Sequence, residues 1–281
     1  MKNFIGKFVS FVMAMAVSVG AFAQNPEQVD VIPAQTPQPC CSSDKFKMNL
    51  DASVTMYDFS DGTVVEVNPE FSVELFEYLK VGTYLSVYND SNSYFDPRQL
   101  AWSLNSGAGN PSGTGFGDIG FYTTYNLFDG KFDPIPVDRT WVNLTAGFAI
   151  PLDGAYSSDD TVYYIGGIVG LELDAFSLSH SCKYSFVDNY TYVAAFGDFA
   201  QDDVYNGITS ITWKAKEDLS VSFNFTHYQS GDYNLVLAGP SVKYDFSSTT
   251  SFNASIGIPI DNDVPGGDLD AAFSAGVGLE F

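Results

Sequence analysis

The sequence predicts an all-β protein, a transmembrane antiparallel up-and-down β-barrel of about 12 strands, with about 10 or 14 strands as alternatives. Apolar and polar residues alternate with period two along most of the chain after residue 46. After residue 23 no apolar run reaches the length of a spanning helix, about 18 residues, so only a closed barrel could cross a membrane. Short and long links alternate, as expected for a barrel with two different aqueous sides.

The first part of the chain is predicted to lie outside the barrel. Residues 1–23 read as a removable secretory signal, with lysines before an apolar run and a small-residue motif that ends with Ala21 and Ala23. Residues 24–45 are rich in proline and polar residues and are expected to form a flexible periplasmic leader. The barrel itself is predicted over residues 46–281.

Alternation is clearest in the first two predicted strands, residues 46–57 and 65–75. The Asp61-Gly62 pair between them is a turn signal. Pro69 in the second strand is expected to withhold one ladder hydrogen bond. Further strands are predicted at residues 80–88, 118–128, 140–151, 161–173, 178–186, 204–214, 219–228, 234–246, 251–259 and 269–281.

Aromatic residues concentrate at the ends of these strands. In a membrane barrel they would form two interfacial girdles. In the alternative architecture, a secreted pair of β-sandwiches, the same side chains would need a closed apolar core. The predicted girdle residues are Phe46, Tyr125, Phe128, Trp141, Phe148, Trp213, Tyr244, Phe246 and Phe281.

The last predicted strand, residues 269–281, has one wholly apolar face and one face of small or charged residues. Within it, Ser274, Gly276, Leu279 and Phe281 are spaced as in the C-terminal signal of bacterial outer-membrane barrels, which this strand resembles. The resemblance implies insertion by the barrel assembly machinery, residence in the bacterial outer membrane, and contact with outer-membrane lipid and lipopolysaccharide.

A second, shorter resemblance lies at residues 113–120, which read Gly-Thr-Gly-Phe-Gly-Asp-Ile-Gly before an amphipathic strand. This segment is similar to a strand opening in outer-membrane proteins encoded beside phenol and aromatic meta-cleavage pathways. It implies a channel for hydrophobic or small organic substrates. No helix and no Lys-Ser or Lys-Thr follows these glycines, so they do not indicate a phosphate-binding loop.

The chain is strongly acidic, with 12 Lys and Arg against 34 Asp and Glu and a formal net charge of −22. This charge argues against nucleic acid as a partner. The predicted outer links carry many aspartates but only one basic residue, Arg98. Divalent cations could bridge these carboxylates to one another or to lipopolysaccharide phosphates. A solvated, repulsive rim is the alternative.

The non-apolar face of the strands is assigned to the lumen, where acidic residues outnumber basic ones. Such a lumen would concentrate cations and disfavour anions. Alternatively, opposed lysines and carboxylates could fill a closed interior. Inward glycines, among them Gly166, Gly170, Gly239 and Gly257, favour open space. The predicted pore-lining residues are Lys47, Asp51, Glu66, Glu70, Glu74, Lys80, Asp118, Glu172, Lys183, Lys243, Asp270 and Glu280.

The long link at residues 91–104 groups three aromatic residues, Tyr94, Phe95 and Trp102, around Arg98. We expect this loop to fold inward and constrict the pore. It could instead cap the barrel or contact a partner.

Little in the sequence indicates catalysis. No Cys and His cluster has metal-site spacing, and no cofactor is expected. The two histidines, His180 and His227, are predicted to face lipid, and Ser230 near His227 leaves an outer-membrane lipid hydrolase as an alternative. The favoured function is a passive, weakly cation-preferring channel for small solutes. The main alternative is a closed barrel that acts as a surface anchor or adhesin through its acidic loops.

Overall fold

A computed structural model describes most of the chain from residue 47 onward. The described residues are 47–59, 62–76, 78–90, 113–131, 137–152, 161–186, 190–194, 197–201, 203–230, 233–263 and 269–281. Their strands are β1 (Lys47–Phe59), β2 (Gly62–Leu75), β3 (Leu79–Asp90), β4 (Gly113–Gly130), β5 (Arg139–Ile150), β6 (Val162–Leu173), β7 (Phe176–Phe186), β8 (Tyr190–Ala194), β9 (Gly197–Gln201), β10 (Val204–Lys216), β11 (Leu219–Ser230), β12 (Tyr233–Ser247), β13 (Thr250–Asp263) and β14 (Leu269–Glu280). In this part of the chain, no helix is long and apolar enough to span a membrane.

Twelve of the strands form a closed antiparallel barrel in which each strand pairs with its neighbours in sequence order and β1 pairs with β14. This confirms the predicted fold class and strand number. The remaining two strands, β8 and β9, form a separate hairpin in the link between β7 and β10, which pair directly with each other. Closure gives each of the twelve described barrel strands two neighbours, so the barrel has no free edge strand.

Tight turns gather at one end of the barrel. They connect β2 to β3, β6 to β7, β10 to β11 and β12 to β13, and Phe76 and Asp174 adopt left-handed backbone conformations in two of them. The first residue of β1 and the last residue of β14 lie at the same end, where Met48 and Phe281 exchange backbone hydrogen bonds. We call this the periplasmic end, as in single-chain bacterial barrels, and the opposite end the outer end.

The outside of the barrel is apolar. Ile165 and Ile211 are each 52% exposed, and Phe225 is 42% exposed. A water-soluble protein would not leave such a continuous set of large apolar side chains outside its core, whereas a bilayer solvates them. Aromatic pairs occur towards both ends, including Tyr244 with Phe246 at the periplasmic end.

The prediction that Trp141 belongs to an interfacial girdle is wrong. Trp141 is buried inside the barrel, because β5 places it on the same face as Arg139 and Asn143. Phe46 lies outside the described residues. The expected defect at Pro69 is present: the β2–β3 pairing skips from Val67 to Glu70.

Candidate channel interior

The interior of the barrel has a packed side formed mainly by β2 to β6. Here large aromatic side chains lie over glycines of neighbouring strands: the Tyr122 ring contacts Gly82, the Tyr84 ring contacts Gly120, and the Tyr164 ring lies on Gly147. The Trp141 ring covers Gly170 in the same way. Gly170 was expected to leave open space, but its missing side chain makes room for an indole ring instead.

Buried carboxylates lie on this packed side. Glu66, Glu70 and Asp118 are each only 4% exposed. The Tyr57 hydroxyl donates to Glu66 Oε2 at 3.3 Å. Burial of a carboxylate is tolerated when it receives a hydrogen bond or lies near a cation, as Glu66 does with Tyr57 and Glu70 with Lys80.

Contacts between non-neighbouring strands show that these groups point into the lumen. The Tyr122 hydroxyl of β4 donates to Glu70 of β2, and Lys80 Nζ lies 3.6 Å from Glu70 Oε1. Lys183 Nζ of β7 lies 4.3 Å from the Tyr164 ring centroid and 5.8 Å from the Tyr84 ring centroid. Five predicted pore-lining residues therefore lie within the packed side: Glu66, Glu70, Lys80, Asp118 and Lys183.

The other side, formed mainly by β7 and β10 to β14, encloses a cavity of about 920 Å³. Small hydroxyl and amide side chains dominate its wall, because serine, threonine and asparagine recur on the inward face of these strands. Several of them hydrogen-bond across strands, including Thr212 with Ser222 at 2.8 Å and Asn224 Nδ2 with Ser241 Oγ at 2.9 Å. The hydroxyl and amide residues of the cavity wall include Ser177, Ser179, Ser181, Ser210, Thr212, Ser222, Asn224, Thr226, Ser241, Asn253, Ser255 and Ser274.

The cavity also carries most of the remaining predicted pore-lining charges. Lys47, Asp51, Glu74, Glu172, Lys243 and Glu280 all line it. At the periplasmic end Lys47 Nζ lies 2.9 Å from Glu280 Oε1, and Lys243 Nζ lies 3.5 Å from Asp245 Oδ1. These ion pairs are partly exposed and therefore contribute little to stability. Among the other charged residues of the cavity wall, carboxylates outnumber cations.

Arg139 is a cavity residue that sequence reasoning missed. Its Nε and Nη2 donate to the two carboxylate oxygens of Asp129 at 2.7 and 2.6 Å, and its guanidinium lies 5.5 Å from the Trp141 ring centroid. The predicted strand began one residue later. Extending the alternation of β5 by one position would have placed Arg139 inward. Further cavity charges outside the predicted set are Lys214, Glu217, Asp218 and Asp245.

Near the outer end, the lumen is apolar. We call this set the outer apolar cluster, and its buried members are Tyr57, Phe59, Val64, Leu235, Leu237, Leu269 and Ala272. The wall of the cavity reaches Tyr57 and Leu237 of this cluster, as well as Tyr228, which packs against it. A second small apolar cluster of Ala149, Val162 and Val204 lies at the outer ends of β5, β6 and β10.

A register shift explains why Leu269 lies inside rather than on the lipid-facing side. The β1–β14 pairing shifts between Asp58 and Phe59, so Leu269 pairs with the inward-facing Phe59. This β-bulge reverses the alternation of the last strand at its outer end. Asp270, a predicted pore-lining residue, lies at this shift; it is exposed and is not part of the cavity wall.

Other sequence predictions fall partly or wholly outside the described residues. The constriction-loop residues Tyr94, Phe95, Arg98 and Trp102 lie there, as do most of the acidic outer links. Within the described ranges, no three His, Cys, Asp or Glu side chains are grouped so as to hold a metal ion.

The two histidines lie on the outward face of their strands. His227 Nε2 is 2.7 Å from Asn234 Oδ1, and His180 Nδ1 is 2.9 Å from Thr209 Oγ1. The structure therefore pairs each histidine with a neutral amide or hydroxyl group of the adjacent strand.

No sequence-family model matches the chain, and no curated protein matches its sequence. Its structure is similar to that of the NanC porin, with a TM-score of 0.55, 10% sequence identity, and coverage of 83% of this chain and 98% of the porin. It is also similar to an outer-membrane channel from Pseudomonas putida F1, with a TM-score of 0.57, 10% identity, and coverage of 88% of this chain and 100% of that channel. At this identity the similarities show a shared barrel fold. The closed barrel and its apolar exterior place the protein in the bacterial outer membrane.

Proposed function

We propose that this protein is a passive channel for small polar solutes with a weak preference for cations. The observation that carries this proposal is the hydroxyl-lined cavity of about 920 Å³ inside the barrel. A solute in the cavity could exchange water for hydroxyl and amide groups along most of the wall. The similarity in fold to two solved outer-membrane channels also supports the proposal.

The preference for cations is inferred from the charges on the cavity wall. Among the described residues, the acidic side chains of the cavity wall outnumber the basic ones: Asp51, Glu74, Glu172, Glu217, Asp218, Asp245 and Glu280 against Lys47, Arg139, Lys214 and Lys243. Carboxylates in a confined passage raise the local concentration of cations and lower that of anions. Because basic groups remain nearby, we expect a modest selectivity.

Conductance of the purified protein in planar bilayers tests the proposal directly. A matched pair of tryptophan substitutions locates the route: Ser222→Trp places an indole in the cavity, whereas Val221→Trp, one residue away, places it on the outward face. We expect the first variant to lose most of its conductance and the second to retain it. Equal conductance of both variants would argue against passage through this cavity.

A closed barrel that anchors or presents the outer loops is the second candidate. The outer apolar cluster favours it, because Val64, Leu235 and Leu269 fill the outer part of the lumen and are almost fully buried. If correctly folded protein passed no ionic current in any condition, the anchor function would replace the channel.

A further inference from the structure

The barrel wall contains an incomplete seam between β13 and β14. These strands pair from their periplasmic ends as far as Gly257 and Ala272. Both strands continue towards the outer end, but among the described residues no pair joins residues 258–260 to residues 269–271. We call these two facing segments the β13–β14 seam. At about 3.3 Å per residue, it runs for about 10 Å along the wall.

Each strand of the seam pairs with its other neighbouring strand, β13 with β12 and β14 with β1. On β13, Ile258 pairs with Ala238 of β12. On β14, Ala271 pairs with Asp58 and Leu269 with Phe59 of β1. The seam is thus a local interruption between two supported strand ends, not a frayed terminus.

Pro259 contributes to the interruption because it has no backbone N–H to donate. A side chain bridges the seam instead: Asn262 Nδ2 of β13 donates to the backbone oxygen of Leu269 at 3.1 Å. The Oδ1 atom of Asn262 is buried without a hydrogen-bond partner among the described residues. Within the described residues, a side-chain hydrogen bond therefore joins the two strand ends where the ladder would supply backbone bonds.

Apolar groups lie on both sides of the seam. On the inside, Leu237, Leu269 and Ala272 belong to the outer apolar cluster. On the outside, Ile258 is 54% exposed and Ile260 is 64% exposed on the lipid-facing surface. Asp270, towards the outer end of the seam, is exposed, so a small apolar molecule would cross beside Ile258 and Ala271, where it exchanges lipid tails for apolar side chains.

We propose that the β13–β14 seam is a lateral passage by which small apolar molecules move between the outer leaflet and the interior of the barrel. The hydrogen bond from Asn262 to Leu269 holds the passage shut between crossings. This activity goes beyond the polar channel and does not depend on ionic current, because it uses a different part of the wall.

A reversible cross-link tests the proposal. Continuing the pairing beyond Gly257 and Ala272 would place Ile258 opposite Ala271, so an Ile258→Cys/Ala271→Cys pair would close the seam when oxidised. Ala254→Cys/Ala275→Cys is the matched control, because these residues already pair on the same two strands. Both pairs are made in a background in which the three native cysteines are replaced by serine.

The readout is uptake of N-phenylnaphthylamine, an apolar probe that fluoresces in a membrane interior, by intact cells that express each variant. Oxidation of the seam pair should lower uptake to the rate in cells lacking the protein, because the disulfide keeps the two segments from separating, and reduction should restore it. Oxidation of the control pair should leave the rate unchanged.

The variant Asn262→Ala supplies a change in the opposite direction, since it removes the bridging hydrogen bond and should speed uptake by roughly threefold. Equal rates in the oxidised seam and control pairs, or uptake through the unaltered protein no faster than in cells lacking it, would overturn the proposal. Conductance of the same variants separates the two functions. If current were absent but uptake still depended on the seam, only the polar channel would be refuted. If current were intact but uptake did not depend on the seam, only the lateral passage would be refuted.

Discussion

Two carboxylates on the cavity wall, Glu74 and Glu172, allow the proposed cation preference to be tested by charge removal. Each would be replaced by glutamine, which keeps the size of the side chain and removes its charge. Two unit charges about 6 Å apart in water interact by about 0.7 kcal/mol. At about 0.1 M salt, where the Debye length is about 10 Å, screening lowers this to about 0.4 kcal/mol.

A carboxylate attracts cations and repels anions by similar amounts, so its loss changes the ratio of cation to anion permeability by about 0.8 kcal/mol, or about fourfold. If the two sites act independently, the permeability ratio of the double variant should fall about fifteenfold, which would turn a weak cation preference into an anion preference. The ratio is obtained from the reversal potential in a planar bilayer under a potassium chloride gradient.

Asp174→Asn is the matched control. Asp174 lies in the β6–β7 turn at the same periplasmic end but not on the cavity wall, and asparagine tolerates its left-handed backbone. Its reversal potential should equal that of the unaltered protein. If the double variant conducted normally and kept its original selectivity, the assignment of cation preference to these cavity carboxylates would be refuted.

Three further predictions concern packing and the membrane boundary. Arg139→Lys keeps the charge but loses the two-pronged contact with Asp129, so the free energy of unfolding measured by urea titration in lipid should fall by about 1–2 kcal/mol, and by about 2–4 kcal/mol for Arg139→Ala. Gly170→Ala places a methyl group against the Trp141 ring and should lower the free energy of unfolding by about 1–3 kcal/mol in the same titration. A smaller decrease would mean that the ring moves freely. Brominated lipids should quench the fluorescence of Trp213, which is exposed on the outside, but not that of Trp141; single-tryptophan variants would show equal quenching if the inward placement of Trp141 were wrong.

The barrel wall could be predicted from sequence because one physical rule governs it. Residues that face lipid must be apolar and alternate with residues that do not, so the strands near Met48, Val65 and Phe225 are visible as a repeating pattern. The interior follows no comparable rule. Alternation identifies which face a residue occupies, but not which residue it meets across the lumen.

Trp141 and Gly170 illustrate this limit. The pair is directly opposed in the β5–β6 register, and the ring fills the space above the glycine. From sequence, one residue resembled an interfacial aromatic and the other an open position. Leu269 was misplaced for a different reason, because a single bulge reverses the alternation and leaves no signal in residue types.

In the described strands the ladder is interrupted beside Pro69, Pro240 and Pro259, and a comparison of Pro69 with Pro259 indicates how surroundings decide what such a defect can do. At Pro69, the side chains of Asn68 and Ser86 form a buried hydrogen bond of 2.6 Å where the β2–β3 pairing is skipped. That site lies among buried polar groups on the packed side, so a passing apolar molecule would have to break hydrogen bonds that nothing replaces.

At Pro259 an asparagine again spans the defect, but apolar side chains lie on both faces of the wall, with the exposed Asp270 towards the outer end. Opening the seam breaks the hydrogen bond from Asn262 to Leu269, and the apolar molecule that enters replaces the contacts that the separated side chains lose. The same backbone defect is therefore expected to act as a fixed structural bridge at Pro69 and as a passage at Pro259. Substituting Asn68 by alanine should accordingly lower stability without changing uptake of N-phenylnaphthylamine, in contrast to the same change at Asn262.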